Sequence, residues 1–153
     1  MAIFLAQHGL AQAREIDPEQ GLSARGEAEV ERIAAVARGY KIRPTLICHS
    51  QKKRARQTAE IFAEALEPGN GCREISGLAP LDDVEGFAQQ LKSNTLYVGH
   101  LPFMARLTGL LTAGSPQLAP FKFQNGGIVC LEQGDEGLWQ INWALMPNIS
   151  SAS

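Results

Sequence analysis

The chain has 153 residues, 44% hydrophobic and 20% charged, the size and balance of one ordinary domain that can bury a core. A formal charge of −2 and a pI near 5.9 argue against a nucleic-acid binder that works through a net positive field. No apolar run approaches the roughly 18 residues that span a bilayer, and no basic start or small-residue cleavage pattern marks a signal peptide, so a cytoplasmic protein without a membrane partner is expected.

Ala2 to Ala6 is a short apolar run that reads as a strand and hands over at Gln7-His8-Gly9. After a loop containing Pro18 and Gly21, Ser23 is placed to cap a helix whose apolar face is Val30, Ile33, Ala34 and Ala37, with Gly39 at its end. Thr45 to Cys48 reads as a strand that leads into His49-Ser50. Gln51 to Leu66 reads as a helix with Ala55, Ala59, Phe62 and Leu66 on one face and Arg56, Glu60 and Glu64 on the other. A weak strand near Arg73 to Ile75, a short helix from Asp83 to Leu91, a strand from Thr95 to Val98 and a helix from Pro102 to Leu111 follow. Phe121 to Phe123, Gly127 to Glu132 and Leu138 to Ala144 read as strands joined by turns, hence antiparallel at one side of the sheet. Cys48, Cys72 and Cys130 are odd in number and widely spaced, which suits neither a disulfide framework nor paired metal ligands; Cys48 and Cys130 read as core.

This alternation predicts a three-layer α/β/α sandwich with a mostly parallel sheet and antiparallel strands near the C-terminus, one domain over 1–147 with 148–153 as a tail. Ligands of such sheets bind beyond the carboxyl ends of the strands, so Gln7-His8-Gly9, His49-Ser50 and Gly99-His100 should converge on one crevice. Lys52, Lys53, Arg54 and Arg56 crowd the start of a helix, where the dipole already carries positive charge; that crowding is unfavourable unless an anion binds, and phosphate is the natural candidate. A solvated basic face accounts equally for Lys52, Lys53 and Arg56, whereas Arg54 lies toward Ala55 and Thr58 and is the candidate clamp. Ser50 reads first as a helix cap and second as a phosphate ligand, and His49 as a strand-end residue with a hydrogen bond. Asp82, Asp83 and Glu85 offer carboxylates for a general acid, but the same residues read as a capping box with Asp in the cap position.

Taken in order, His8-Gly9, Leu22-Ser23-Ala24-Arg25-Gly26, Ser50 through Ala59 and Gly99-His100-Leu101-Pro102 resemble the histidine phosphatase superfamily, and in short length the SixA-type phosphohistidine phosphatases. The resemblance implies a phosphoglycerate mutase-like fold and a hydrolase in which His8 attacks phosphorus and becomes phosphohistidine. His100 would donate to the phosphoryl oxygens and Arg54 would grip them with its fork, within a cradle of Gln7, Gly9, Ser50, Arg54 and His100. It implies no metal and no cofactor. The partner would be a phosphorylated histidine on a protein or a small phosphorylated molecule, and a phosphate or sulfate ion would be the simplest occupant. Larger members carry a Leu-x-Glu acid where Leu78-Ala79-Pro80 stands here, which leaves Asp82 or Asp83 as the candidate proton donor. A phosphohistidine substrate eases that loss, since protonated imidazole leaves readily.

One position departs from the family pattern, which is Arg-His-Gly: here Gln7 precedes His8. Glutamine keeps an N–H donor but forfeits the charge and the fork. A weakened site is expected: a slow phosphatase with Lys52, Lys53 or Arg56 supplying charge, acting on phosphohistidine or a small phosphomonoester, or a pseudophosphatase that binds phosphorylated partners without turnover.

Overall fold

Ile3, Leu5 and Ala6 are fully buried and Phe4 nearly so. A strand that is apolar on both faces must lie between two layers, and β1 (Ala2–Gln7) does, pairing in parallel with one neighbour and antiparallel with another. The structure, a computed structural model, describes residues 1–149. After β1 come α1 (Ala24–Gly39), β2 (Leu46–His49), α2 (Lys53–Leu66), β3 (Cys72–Glu74), α3 (Val84–Ala88), β4 (Thr95–Gly99), α4 (Phe103–Ala113), β5 (Ile128–Gln133) and β6 (Trp139–Leu145). The sheet runs β3-β2-β4-β1-β5-β6; its first four strands are parallel, and β5 and β6 are antiparallel additions.

The period-two alternation of the strands sorts side chains into two cores. Phe4, Ala6, Ile47, Leu96 and Val98 meet Val30, Ile33 and Ala37 of α1 and Ala55, Ala59 and Phe62 of α2. Ile3, Leu5, Cys48 and Tyr97 meet Val84 and Phe87 of α3 and Phe103, Met104 and Leu107 of α4. This is the expected α/β/α sandwich. Ser23 caps α1, its hydroxyl accepting from the Gly26 N–H at 3.0 Å. Gly26 is a packing requirement, since a Cβ there would collide with the Leu10 carbonyl. Cys48 and Cys130 are buried in the core, as their apolar surroundings imply.

Three local expectations are corrected. Phe121 to Phe123 is not a strand: β4 and β5 occupy both sides of β1, and the segment instead seats Phe123 in the α4-side core, its ring 5.5 Å from that of Phe121. Ser50 does not cap α2. The Ser50 N–H is held by the Val98 carbonyl at 3.2 Å, which keeps the residue in line with the sheet, and the helix starts only after Lys52, whose side chain makes no capping bond. The third helix stops at Ala88 rather than Leu91. Of the tail assigned to 148–153, Asn148 exchanges hydrogen bonds with Gln124 and donates to Glu29, and 150–153 lie outside the described residues. Among the described residues no helix is long and apolar enough to cross a membrane.

Candidate active site

Because β1, β2 and β4 are parallel, Gln7, His49 and Gly99 end them on one side of the sheet, and the three handover segments meet there. The His8 and His100 rings lie 5.0 Å apart between centroids, inclined by 53°. The backbone of residues 7–9 is pinned from three directions. His8 N–H donates to the Gly99 carbonyl at 2.9 Å, Gly9 N–H donates to the Thr58 hydroxyl at 2.9 Å, and the Asn125 amide donates to the His8 carbonyl at 3.1 Å. Gly126 N–H adds a bond to the Gln7 carbonyl at 3.0 Å. Gly9 also passes close to α1, for a Cβ there would stand 2.7 Å from Val30 Cγ2.

His8 Nδ1 lies 2.7 Å from the Gly9 carbonyl oxygen. A carbonyl can only accept, so Nδ1 carries the proton and the lone pair is on Nε2. Burial, offset in part by that Gly9 bond and reinforced by the Arg54 charge, lowers the His8 pKa, which keeps the ring neutral at neutral pH. His100 is 2% exposed, and its Nε2 lies 2.6 Å from the Ser50 hydroxyl oxygen. Its pKa is pushed down to about 3 by burial first and then by the neighbouring His8, Arg54 and Lys52. Arg54 is half-buried, and burial followed by the charge of Arg14 lowers its pKa; it remains a cation. Thr58 couples these parts: its hydroxyl accepts from Gly9 N–H and donates to the Arg54 carbonyl at 2.8 Å. A neutral imidazole with a free lone pair, a second imidazole beside it and a guanidinium are suited to a tetrahedral oxyanion.

The remaining residues singled out from the sequence sort clearly. Gln7 is half-buried, and its carboxamide oxygen is buried without a hydrogen-bond partner, as is His100 Nδ1. His49 ends β2 with Nδ1 2.8 Å from the Ser50 carbonyl oxygen. Lys53 is engaged by Asp17 at 3.2 Å and Glu19 at 3.6 Å, and Arg56 by Glu60 at 3.6 Å, so both point their charge elsewhere. Lys52 is exposed and has no carboxylate within 4.0 Å among the described residues. Asp83 caps α3, accepting from Glu85 N–H at 3.0 Å, and Asp82 accepts from Ala79 N–H at 2.9 Å; neither contacts the two histidines. Sequence reasoning missed Thr58 as a strut, Asn125 as a clamp and Arg14 as a neighbour of Arg54. The Asn-Gly pair at 125–126 was the only local signal among them, a turn signature placed against an unsuspected strand end.

Comparison with known structures agrees with this fold. The protein histidine phosphatase SixA in complex with tungstate superposes with a TM-score of 0.82 over 96% of this chain and 97% of that one, at 24% identity. A protein assigned as SixA from Agrobacterium tumefaciens gives 0.74 over 95% and 97%, at 25% identity. The alpha-ribazole phosphatase from Shigella flexneri gives 0.76 over 100% of both chains, at 15% identity. No curated protein sequence matches this one. The family model described as histidine phosphatase superfamily (branch 1) matches residues 3–79, a span that holds His8, Gly9, Ser50, Arg54 and Thr58. With that match laid over the meeting of β1, β2 and β4, the chain belongs to the histidine phosphatase superfamily.

Proposed function

We propose that the protein is a phosphohistidine phosphatase of SixA type in which His8 Nε2 attacks phosphorus. The observation that carries this reading is the paired imidazoles, 5.0 Å apart at the end of the parallel strands, with the His8 proton fixed on Nδ1. His8 starts neutral, attacks in line and takes the phosphoryl group, while Arg54 offsets the charge that accumulates on the equatorial oxygens and the neutral His100 ring donates a hydrogen bond to them. Water then hydrolyses the phosphohistidine, and His8 is regenerated. Asp83 caps α3 and Asp82 accepts from Ala79 N–H, and the leaving group departs without a dedicated carboxylic acid. That favours a protonated imidazole over an alkoxide as leaving group, hence phosphohistidine on a partner protein over an alkyl phosphate metabolite. Gln7 brings a neutral amide where a guanidinium would bring a charged fork, so position 7 itself contributes less to the rate than an arginine there would. The unpaired cysteines agree with a reducing, cytoplasmic setting.

The test is a trapping experiment with a phosphohistidine-bearing protein as donor. Acid-labile phosphate appears on the wild-type chain at His8 and is absent from His8→Ala, which also loses turnover. Turnover that survives in His8→Ala overturns the mechanism, and phosphate binding without product release moves the protein to a binding role.

A further inference from the structure

The basic side chains around the cleft divide into those already neutralised and those still free. Lys53 and Arg56 are paired with carboxylates, whereas Arg14, Lys52 and Arg54 have none within 4.0 Å among the described residues. Arg14 belongs to the loop that leaves His8. Ala11 pairs with Leu22 and Gln12 N–H donates to the Gly21 carbonyl at 2.8 Å, which closes the loop into a narrow hairpin. Its tip is a tight turn, with Ile16 and Asp17 both donating to the Ala13 carbonyl at 3.0 Å.

That tip is fastened to the first turns of α2. Asp17 binds the Lys53 ammonium at 3.2 Å, and at the hairpin's base Leu22 N–H donates to Gln57 Oε1 at 2.7 Å. The hairpin tip that carries Arg14 is therefore held at the start of α2, where Arg54 follows the Lys53 anchor, and the Arg14 charge is felt at Arg54. Two unpaired guanidinium groups kept close by a braced loop, at a helix N-terminus that is itself positive, repel each other until an anion comes between them. Lys53 spends its charge on the loop and takes up Asp17 and Glu19, neither of which pairs with Arg14 or Arg54.

We propose that Arg14 is the second guanidinium of this site: it reaches the phosphoryl oxygens from the hairpin and supplies the positive charge that Gln7 does not. This rests on the reading of the cleft as the phosphoryl site. Two forks from different directions hold a tetrahedral dianion more firmly than one. Of the compensating cations considered from the sequence, Lys53 and Arg56 drop out, and Lys52 offers a point charge in place of a fork.

Titration calorimetry of the full chain with sodium tungstate tests the assignment. Arg14→Ala weakens tungstate binding about tenfold to a hundredfold, the loss of one charge-assisted contact, and Arg14→Lys lies between. Adding Gln7→Arg to Arg14→Ala recovers binding to within a few-fold of wild type. Arg14→Ala binding within twofold of wild type, while Arg54→Ala has lost tenfold or more, overturns the role of Arg14 and leaves the cleft intact. A double variant as weak as Arg14→Ala also overturns it. If Arg54→Ala binds like wild type, the cleft is not the anion site, and both readings fall together.

Discussion

Replacing Gln7 by arginine restores a charge at the end of β1, and the size of the effect follows from what the glutamine does now. Its carboxamide oxygen is buried and unpartnered, so the exchange breaks no internal hydrogen bond at that atom. A hydrogen bond to a charged group is worth about 1.5–3 kcal/mol and a neutral one about 1 kcal/mol, so a fork on the phosphoryl oxygens gains about 0.5–2 kcal/mol over the amide. The new cation enters a cleft where burial and Arg14 already oppose the Arg54 charge. The gain therefore appears only with the anion bound. At 1.4 kcal/mol per factor of ten, kcat/KM rises about 2–30-fold. Initial rates of parent and variant on phosphohistidine and on an aryl phosphate, at one ionic strength, measure it. Urea unfolding with and without phosphate adds a second readout, because phosphate should stabilise the variant more than the parent. Equal rates on both substrates would refute the reasoning that position 7 addresses the phosphoryl group.

Thr58→Val keeps the shape of a fully buried side chain but leaves Gly9 N–H without an acceptor. It should cost about 1–3 kcal/mol in urea unfolding and lower turnover with it, since the Gly9 carbonyl orients His8; unchanged stability would remove Thr58 as the strut. Stability should also fall as the solution is acidified. Below pH 6.5 an unfolded chain protonates His100, whereas the native chain resists until about pH 3, so protonation favours the unfolded state and the slope with pH is positive. At pH 4.5 this amounts to about 2–3 kcal/mol relative to pH 7, with His8 adding in the same direction. His100→Asn should flatten that part of the profile, and an unaltered acid slope in the variant would show that His100 does not carry it.

The layers and the three strand ends were legible because their signals are local. Apolar residues at helical spacing marked the buried face of α1, Ala55, Ala59, Phe62 and Leu66 did so for α2, and the strands ended where polar pairs such as His49-Ser50 interrupted apolar runs. Phe121-Lys122-Phe123 misled for the same reason. A buried and a half-buried phenyl ring at period two look alike whether the backbone pairs with a strand or only anchors a loop, and the occupied flanks of β1 decide between them. Ser50 misled through competition, since a hydroxyl suited to capping a helix was already committed to His100 Nε2. Arg14 carried no signal at all. It sits in a loop without periodicity, and its relation to Arg54 exists only after Asp17 has found Lys53 across 36 residues.

The peptide unit around His8 is fixed by β4, by α2 and by the 125–126 turn through main-chain atoms, not through its imidazole. Rim side chains can therefore be exchanged without displacing the point of attack. Diversification of such a scaffold toward new leaving groups needs changes only in the hairpin and the first turn of α2, while the reacting nitrogen keeps its address.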